Sequence, residues 1–248
     1  MRRALLIAAL AALVLGCETP KGGPPPKSTL VIGLDVSGSF RKGGHFDDAI
    51  DFASLYIYSH MKGYQQLRQP TEIFIGTMGG QKTGEAKTFH PIQDLTGKSP
   101  SQIAASLRAW FPEDDPITDY NAFFERVAVH VQRQNLGLAP LSIIMFSDGI
   151  PDMPGVKGEE LYRRINVTPL EYISRSVTVR LLYASPRVAQ HWEKLVPRKR
   201  VRLWTQDADV MAGWRRHFVS TARPEQQDSL WSWMKEIVDF RVRRGKVI

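Results

Sequence analysis

The chain has 248 residues, of which 43% are hydrophobic and 23% charged, and its formal net charge is +8. The single cysteine, Cys17, excludes an intrachain disulfide, and the basic residues are not interleaved with aromatic ones as in nucleic-acid-binding repeats. The positive charge instead favours anionic lipid headgroups or acidic envelope polymers as counterparts, or forms a solvated basic face.

The N-terminal segment has the pattern of an export signal. Arg2 and Arg3 precede an apolar run over residues 4 to 15, which is shorter than the roughly 20 residues that span a bilayer. The run ends in Val14-Leu15-Gly16-Cys17, which resembles the lipobox of bacterial lipoproteins. The resemblance implies that residues 1–16 are a signal peptide and that the Cys17 thiol carries lipid such as palmitate. An uncleaved anchor, or an ordinary signal peptide with a coincidental cysteine, is the alternative.

The remaining chain divides into three parts. Residues 17–27 are rich in proline and glycine and contain no core-forming residue, so we predict an extended tether. Residues 28–222 are long enough for one α/β domain, and residues 223–248 are expected to form a C-terminal helix and a basic tail. Glu18, following Cys17, favours the outer membrane facing the periplasm over the inner membrane, if the organism has two. We therefore expect a lipid-anchored protein of the bacterial cell envelope.

Apolar stretches of strand length alternate with segments of helical period, which is typical of an α/β domain with a mostly parallel sheet. The strands at 29–34 and 141–146 are apolar on both faces and should be central. Segment 86–91 is expected to pair with 72–77 as an edge hairpin. The remaining predicted strands are 177–183 and 201–204, and the predicted helices are 46–61, 101–111, 121–134, 188–195, 208–218 and 230–240.

Oxygen-bearing side chains follow two of these strands. Asp35-Val36-Ser37-Gly38-Ser39 places one carboxylate and two hydroxyls directly after the first strand, and Asp148 follows the strand at 141–146. Thr118 lies just before a predicted helix. Loops at the carboxyl ends of neighbouring parallel strands converge, so these side chains are expected to meet. Oxygen ligands of mixed charge suit magnesium, manganese or calcium.

On these three segments the chain resembles a von Willebrand factor type A (vWA) domain with a metal-ion-dependent adhesion site (MIDAS). The resemblance covers about residues 28 to 220. It implies a doubly wound, mostly parallel Rossmann-like α/β sheet with helices on both faces. It also implies a bound Mg²⁺ or Mn²⁺, with Ca²⁺ as a possibility. Its ligands would be the hydroxyls of Ser37, Ser39 and Thr118, with the carboxylates of Asp35 and Asp148 acting directly or through water.

The second loop departs from the family pattern. Residues 113–119 are unusually acidic and lack the glycine that often precedes the threonine. Asp115 or Asp119 is therefore a further candidate ligand, and additional carboxylates would favour Ca²⁺. Asp152 is either another candidate or a turn residue. A degenerate domain without metal is the alternative for the whole site.

Three functions fit the sequence. The first is a lipid-anchored protein that binds a protein partner when the metal captures an acidic side chain of that partner. The second is a structural scaffold in an envelope or secretion assembly, acting through basic residues such as Arg198, Lys199 and Arg200. The third, more remote, is a metal-dependent phosphatase, which would need a second aspartate where Ser37 stands. We therefore expect a protein that is not an enzyme and has no catalytic residue.

Overall fold

The computed structural model describes residues 28–85, 87–112 and 115–240. The predicted signal peptide, the Cys17 lipidation site, the tether and the basic tail at 241–248 lie outside the described residues. Within the described part of the chain, no helix combines the length and apolar character needed to cross a membrane.

A mixed sheet of six strands forms the centre of the domain. The strands are β1 (Thr29–Leu34), β2 (Glu72–Thr77), β3 (Gly79–Gly80), β4 (His90–Pro91), β5 (Ile117–Thr118), β6 (Leu141–Phe146), β7 (Val177–Ala184) and β8 (Arg202–Asp207). The six-stranded sheet has the order β4-β2-β1-β6-β7-β8, in which only β4 is antiparallel to its neighbour. β3 and β5 form a separate antiparallel pair.

Helices cover both faces of this sheet. They are α1 (Gly38–Lys42), α2 (Phe46–Lys62), α3 (Pro100–Trp110), α4 (Tyr120–Arg133), α5 (Glu160–Arg163), α6 (Pro186–Leu195), α7 (Ala208–Ala212) and α8 (Asp228–Trp233). Alternate residues of β1 enter two different cores, because successive strand side chains point to opposite faces. Leu30 and Ile32 pack with α2, α3 and α8, whereas Val31 packs with α4 and α6. The predicted doubly wound α/β class is therefore confirmed.

The strand order places a topological switch point between β1 and β6. From β1 the chain continues to β2 on one side, and the later strands β6, β7 and β8 extend on the other side. Leu34 at the end of β1 is in register with Phe146 at the end of β6. The loops that follow these two residues therefore leave the sheet side by side, which is where ligands bind in open α/β sheets.

Several elements differ from their predicted bounds. Of the edge strand predicted at 86–91, only His90 and Pro91 pair with β2, and a short 3₁₀ turn begins at Ile92. Residues 87–89 are not in a strand, and residue 86 lies outside the described residues. The helix predicted at 208–218 ends at Ala212 and continues as a 3₁₀ turn from Gly213. The helix predicted at 230–240 starts earlier, as α8, and widens into a π-helical turn at Met234–Val238. Trp231, Met234 and Val238 are buried in the core beside α2.

Candidate metal centre

The loops after β1 and β6 are fastened to the ends of neighbouring strands. The backbone N–H of Asp35 donates to the Phe146 carbonyl at 2.9 Å, and that of Ser147 donates to the Leu182 carbonyl at 3.1 Å. Asp35 and Ser147 thus extend the parallel register by one residue beyond the strands. The predicted convergence of the two loops follows directly from this pairing.

Asp35 lies at the bottom of the candidate site and is fully buried. Its Oδ1 accepts a hydrogen bond from the Ser37 backbone N–H at 2.9 Å and lies 3.5 Å from the Thr118 hydroxyl. Its Oδ2 accepts from the Ser147 hydroxyl at 2.5 Å. Both carboxylate oxygens are therefore oriented by the three loops that supply the predicted ligands.

Ser37, Ser39 and Asp148 continue the cluster toward solvent. The Ser37 and Ser39 hydroxyl oxygens are 3.1 Å apart, and the Ser39 hydroxyl hydrogen-bonds the Asp148 side chain. Ser37 is buried, Asp148 is half-buried and Ser39 is exposed. The site is thus closed below by Asp35 and open on the side of Ser39 and Asp148.

Thr118 is held by its backbone rather than by its side chain. As part of β5 it pairs with Gly79 of β3, and its N–H donates to Asp152 Oδ2 at 3.0 Å. The Asp152 N–H donates back to the Thr118 carbonyl at 3.0 Å. The side chain of Asp152 therefore positions the second loop, a role that was not considered from the sequence.

Burial makes the two carboxylates costly to ionise without a cation. It raises the pKa of Asp35 to about 6, although hydrogen bonds from Ser147 and Ser37 oppose the shift and the charge of Asp148 adds to it. Burial likewise raises the pKa of Asp148, against the hydrogen bonds of Ile150 and Ser39. A divalent cation between the two acids would relieve this penalty, so the electrostatics of the site fit a metal.

The donor set also restricts the kind of metal. Five side-chain oxygen donors meet here, of which three are neutral hydroxyls. In the described part of the chain no group of three or more His, Cys, Asp or Glu side chains is arranged around a metal position, so the hydroxyls are needed to complete a shell. Oxygen donors suit Mg²⁺, Mn²⁺ or Ca²⁺. The structure brings the five predicted residues together, and their role as ligands stays a prediction.

Asp115 and Asp119, the two additional candidates, have different environments. Asp119 caps α4, where Oδ1 accepts from the Ala122 N–H at 2.9 Å and Oδ2 accepts from the Gly84 N–H at 3.0 Å. Asp115 is buried, and its Oδ1 lies 3.2 Å from both Lys87 Nζ and Gln81 Nε2. Its Oδ2 is buried and has no hydrogen-bond partner among the described residues. Asp119 is therefore occupied as a helix cap, and Asp115 is the better candidate for an extra carboxylate.

Two residues that matter here were not assigned a role from the sequence. Ser147 hydrogen-bonds the Asp35 carboxylate, and the Tyr120 hydroxyl lies 2.6 Å from the Ser147 Oγ. Tyr120 is buried at the start of α4, where an aromatic residue is expected to be part of the hydrophobic core. The sequence does not distinguish a tyrosine whose hydroxyl contacts the loop after β6 from one that only fills space in the core.

Comparisons with known proteins give structural matches only. No family model and no curated protein matches the chain. The pilus adhesin SpaC from Lactobacillus rhamnosus GG, in its open conformation, is 9% identical, with a TM-score of 0.49 over 88% of this chain and 31% of that chain. The SpRpn10 VWA domain is 10% identical, with a TM-score of 0.44 over 81% of this chain and 93% of that chain.

A third match is proximal thread matrix protein 1 from the mussel byssus, solved with a zinc-occupied MIDAS motif. It is 9% identical, with a TM-score of 0.41 over 84% of this chain and 46% of that chain. This chain spans less than half the length of the mussel protein and less than a third of the pilus adhesin. The fold of this chain is vWA-like, as the strand order and the three converging loops described above indicate.

Proposed function

We propose that this chain is a protein-binding module in which a divalent cation captures a carboxylate of its partner. The cation would be held by Asp35, Ser37, Ser39, Thr118 and Asp148. The observation that carries the proposal is the convergence of these side chains in a pocket that is buried at Asp35 and open at Ser39 and Asp148.

The mixture of donors supports carboxylate capture. Neutral hydroxyls close to the ion would leave much of its positive charge uncompensated, so that an acidic side chain of a partner is attracted to the open position. Mg²⁺ or Mn²⁺ is the proposed ion. The Oδ2 of Asp115, which has no partner among the described residues, is the feature that would admit Ca²⁺ if this carboxylate turned toward the ion. The proposed role is binding, not catalysis.

The position of the site supports a membrane-tethered arrangement. We propose that lipid on Cys17 anchors the chain in a bacterial envelope, with the outer membrane favoured. The described chain enters β1 at its amino end, and Asp35 follows its carboxyl end. A strand of six residues separates these points by about 20 Å. A tether attached before Ser28 would therefore leave the metal centre on the far side of the domain, accessible to a partner.

The alternative scaffold function through basic surfaces has less support. The Arg198 guanidinium donates to the backbone carbonyls of Val196 and Trp192 at 3.0 and 3.4 Å. Arg215, in another basic cluster, pairs with Asp48 at 2.6 Å. These side chains are engaged within the domain, which reduces their availability to a partner.

Manganese binding tests the proposal directly. The full chain is titrated with Mn²⁺ while the relaxation rate of water protons is recorded, and acetate is then added as a carboxylate probe. Binding followed by a fall in relaxation enhancement on adding acetate is expected, because the carboxylate displaces a bound water. Asp148→Asn should weaken Mn²⁺ binding at least tenfold.

The exposed Asp209 provides the matched control, since Asp209→Asn makes the same chemical change in α7, outside the five proposed ligands. Absence of Mn²⁺ binding, or equal affinity in the two variants, would disprove the metal centre. Arg200→Glu should leave Mn²⁺ and acetate binding unchanged. A partner protein that binds the Asp148→Asn variant but not the Arg200→Glu variant would support the scaffold function instead.

A further inference from the structure

A large cavity lies at the end of the sheet opposite the metal centre. Its volume is about 1270 Å³, and it is lined by the amino ends of β1, β6, β7 and β8 together with the end of α2 and the C-terminal helix. Residues Ser28, Thr29 and Arg180 line it and are at least nine-tenths buried. None of the five predicted metal ligands belongs to its lining.

Arg180 is a buried guanidinium that forms no ion pair with a carboxylate of the described residues. It is 7% exposed, and it donates to the Ser142 hydroxyl at 3.0 Å and to the Phe240 carbonyl at 3.2 Å. Its Nε has no hydrogen-bond partner among the same residues. Among the described residues no acidic side chain lies within ion-pair distance of Arg180. Burying an arginine in this way is costly unless an anion compensates it.

The Asp239 carboxylate, whose pKa Arg180 helps to lower, is already engaged. Its Oδ2 lies 2.9 Å from His60 Nε2, and its Oδ1 accepts from the Tyr56 hydroxyl at 2.6 Å. Besides Arg180, the basic residues Arg68 and Lys235 line the cavity, whereas Glu236 is the other acidic residue in the lining. The cavity therefore carries an excess of positive charge.

A buried hydroxyl adds to the donor set. The Oγ of Ser28 has no hydrogen-bond partner among the described residues, although the side chain is almost fully buried. A phosphoryl group presents three or more acceptor oxygens, which suits one guanidinium, nearby cations and a hydroxyl. We infer that this cavity binds the phosphate group of a small phosphate ester or of a phospholipid headgroup, with Arg180 as its buried anchor.

Two probes distinguish the sources of phosphate. The full chain is titrated, at constant ionic strength, with inorganic phosphate and separately with monomeric dihexanoyl phosphatidylglycerol, and binding is followed by ³¹P line broadening. Saturable binding of at least one probe is expected. Preference for phosphate indicates a soluble ester, and preference for the short-chain lipid indicates a headgroup.

Variants connect this binding to the cavity. Arg180→Gln should lower the affinity for the preferred probe at least tenfold, whereas Arg163→Gln, on the exposed surface of α5, should leave that affinity unchanged. Ser28→Ala removes the buried hydroxyl and should weaken binding about threefold, so it provides a second test if Arg180→Gln does not fold. Failure of both probes to bind, or binding that neither cavity variant weakens, would overturn the inference.

Discussion

The Oγ of Ser147 lies 2.5 Å from Oδ2 of Asp35, and this contact determines the direction of a chain of hydrogen bonds. A serine hydroxyl has one proton, which Ser147 gives to the carboxylate. The Tyr120 hydroxyl, 2.6 Å away, must then donate to Ser147, as the Gly149 N–H also does at 3.0 Å. Asp35 is thus oriented by a buried tyrosine that lies outside the predicted ligand set.

Removal of the Ser147 hydroxyl should weaken the proposed metal centre. Ser147→Ala leaves Asp35 Oδ2 without its donor, and loss of such an orienting partner typically costs 10- to 100-fold in metal affinity, or roughly 1.4 to 2.7 kcal/mol. Tyr120→Phe should have a smaller effect in the same direction. Mn²⁺ titration measures both, with the exposed Ser220→Ala as the control. An unchanged affinity in Ser147→Ala would contradict this role.

Asp152 offers a separate test of the second loop. Its carboxylate holds the Thr118 N–H at 3.0 Å without belonging to the predicted ligands. Asp152→Ala should therefore reduce Mn²⁺ affinity by about tenfold, while Asp152→Asn, which keeps an acceptor oxygen, should recover most of it. Equal losses in both variants would indicate that the charge of Asp152, rather than its hydrogen bond, is important.

Gly149 should be the glycine least tolerant of substitution near the site. Its φ is +81°, and an added Cβ would lie 2.7 Å from Leu181, 2.8 Å from Val188 and 3.1 Å from Trp192. Gly149→Ala should cost about 2 to 4 kcal/mol, since strain and overpacking add. Gly155→Ala is the matched control. The φ of Gly155 is +76°, but an added Cβ there would have no described atom within 4 Å other than those of its chain neighbours, so a loss of about 1 kcal/mol in stability is expected. Chemical denaturation measures both, and equal costs would exclude the packing contribution.

The His60–Asp239 pair should make stability depend on pH. His60 Nδ1 lies 2.8 Å from the Arg68 carbonyl, and its Nε2 lies 2.9 Å from Asp239 Oδ2, so a doubly protonated ring donates to the carbonyl and forms an ion pair with the carboxylate. Burial and Arg180 oppose the charged ring, but the Asp239 carboxylate and the Arg68 carbonyl outweigh them and raise the pKa of His60. Burial opposes ionisation of Asp239, yet His60, Arg180 and Tyr56 lower its pKa.

The signs of these shifts define a pH window. The contribution of His60 is complete below its unfolded pKa of about 6.5 and is lost as pH rises through its raised folded value. The contribution of Asp239 is present above about 3.9 and is lost as pH falls through its lowered folded value. His60→Gln should therefore destabilise the domain more at about pH 5.5 than at about pH 9. His217→Gln is the control, and a pH-independent difference would contradict the charged pair.

Local sequence patterns predicted the central strands well because burial on both faces leaves a continuous apolar run. β1, β2 and β6 have their predicted bounds. The C-terminal elements were less predictable, since the change to a π-helical turn at Met234 depends on how this segment packs into the core. The edge strand β4 depends on pairing with β2, which its own residues do not specify.

The candidate site likewise combines features that local sequence specifies with features that depend on long-range contacts. The five candidate ligands came from local features, namely oxygen-bearing residues that follow two strands, and from the resemblance of these segments and of Thr118 to the vWA pattern. Ser147, Tyr120 and Asp152 act across loops that are distant in sequence, and their roles depend on the register that places Leu34 opposite Phe146. The role of Asp119 could not be predicted either, because a helix cap and a metal ligand both require a carboxylate at this position.

The pairing of Thr118 with Gly79 has a consequence for the entropic cost of the proposed ion binding. Two loop backbones are joined as a miniature antiparallel ladder, and Asp152 clamps the same threonine from the other side. The Thr118 backbone therefore has little torsional freedom left to lose if an ion binds. A site assembled in advance devotes more of its interaction energy to affinity, and less to ordering, than one that must fold around its ion.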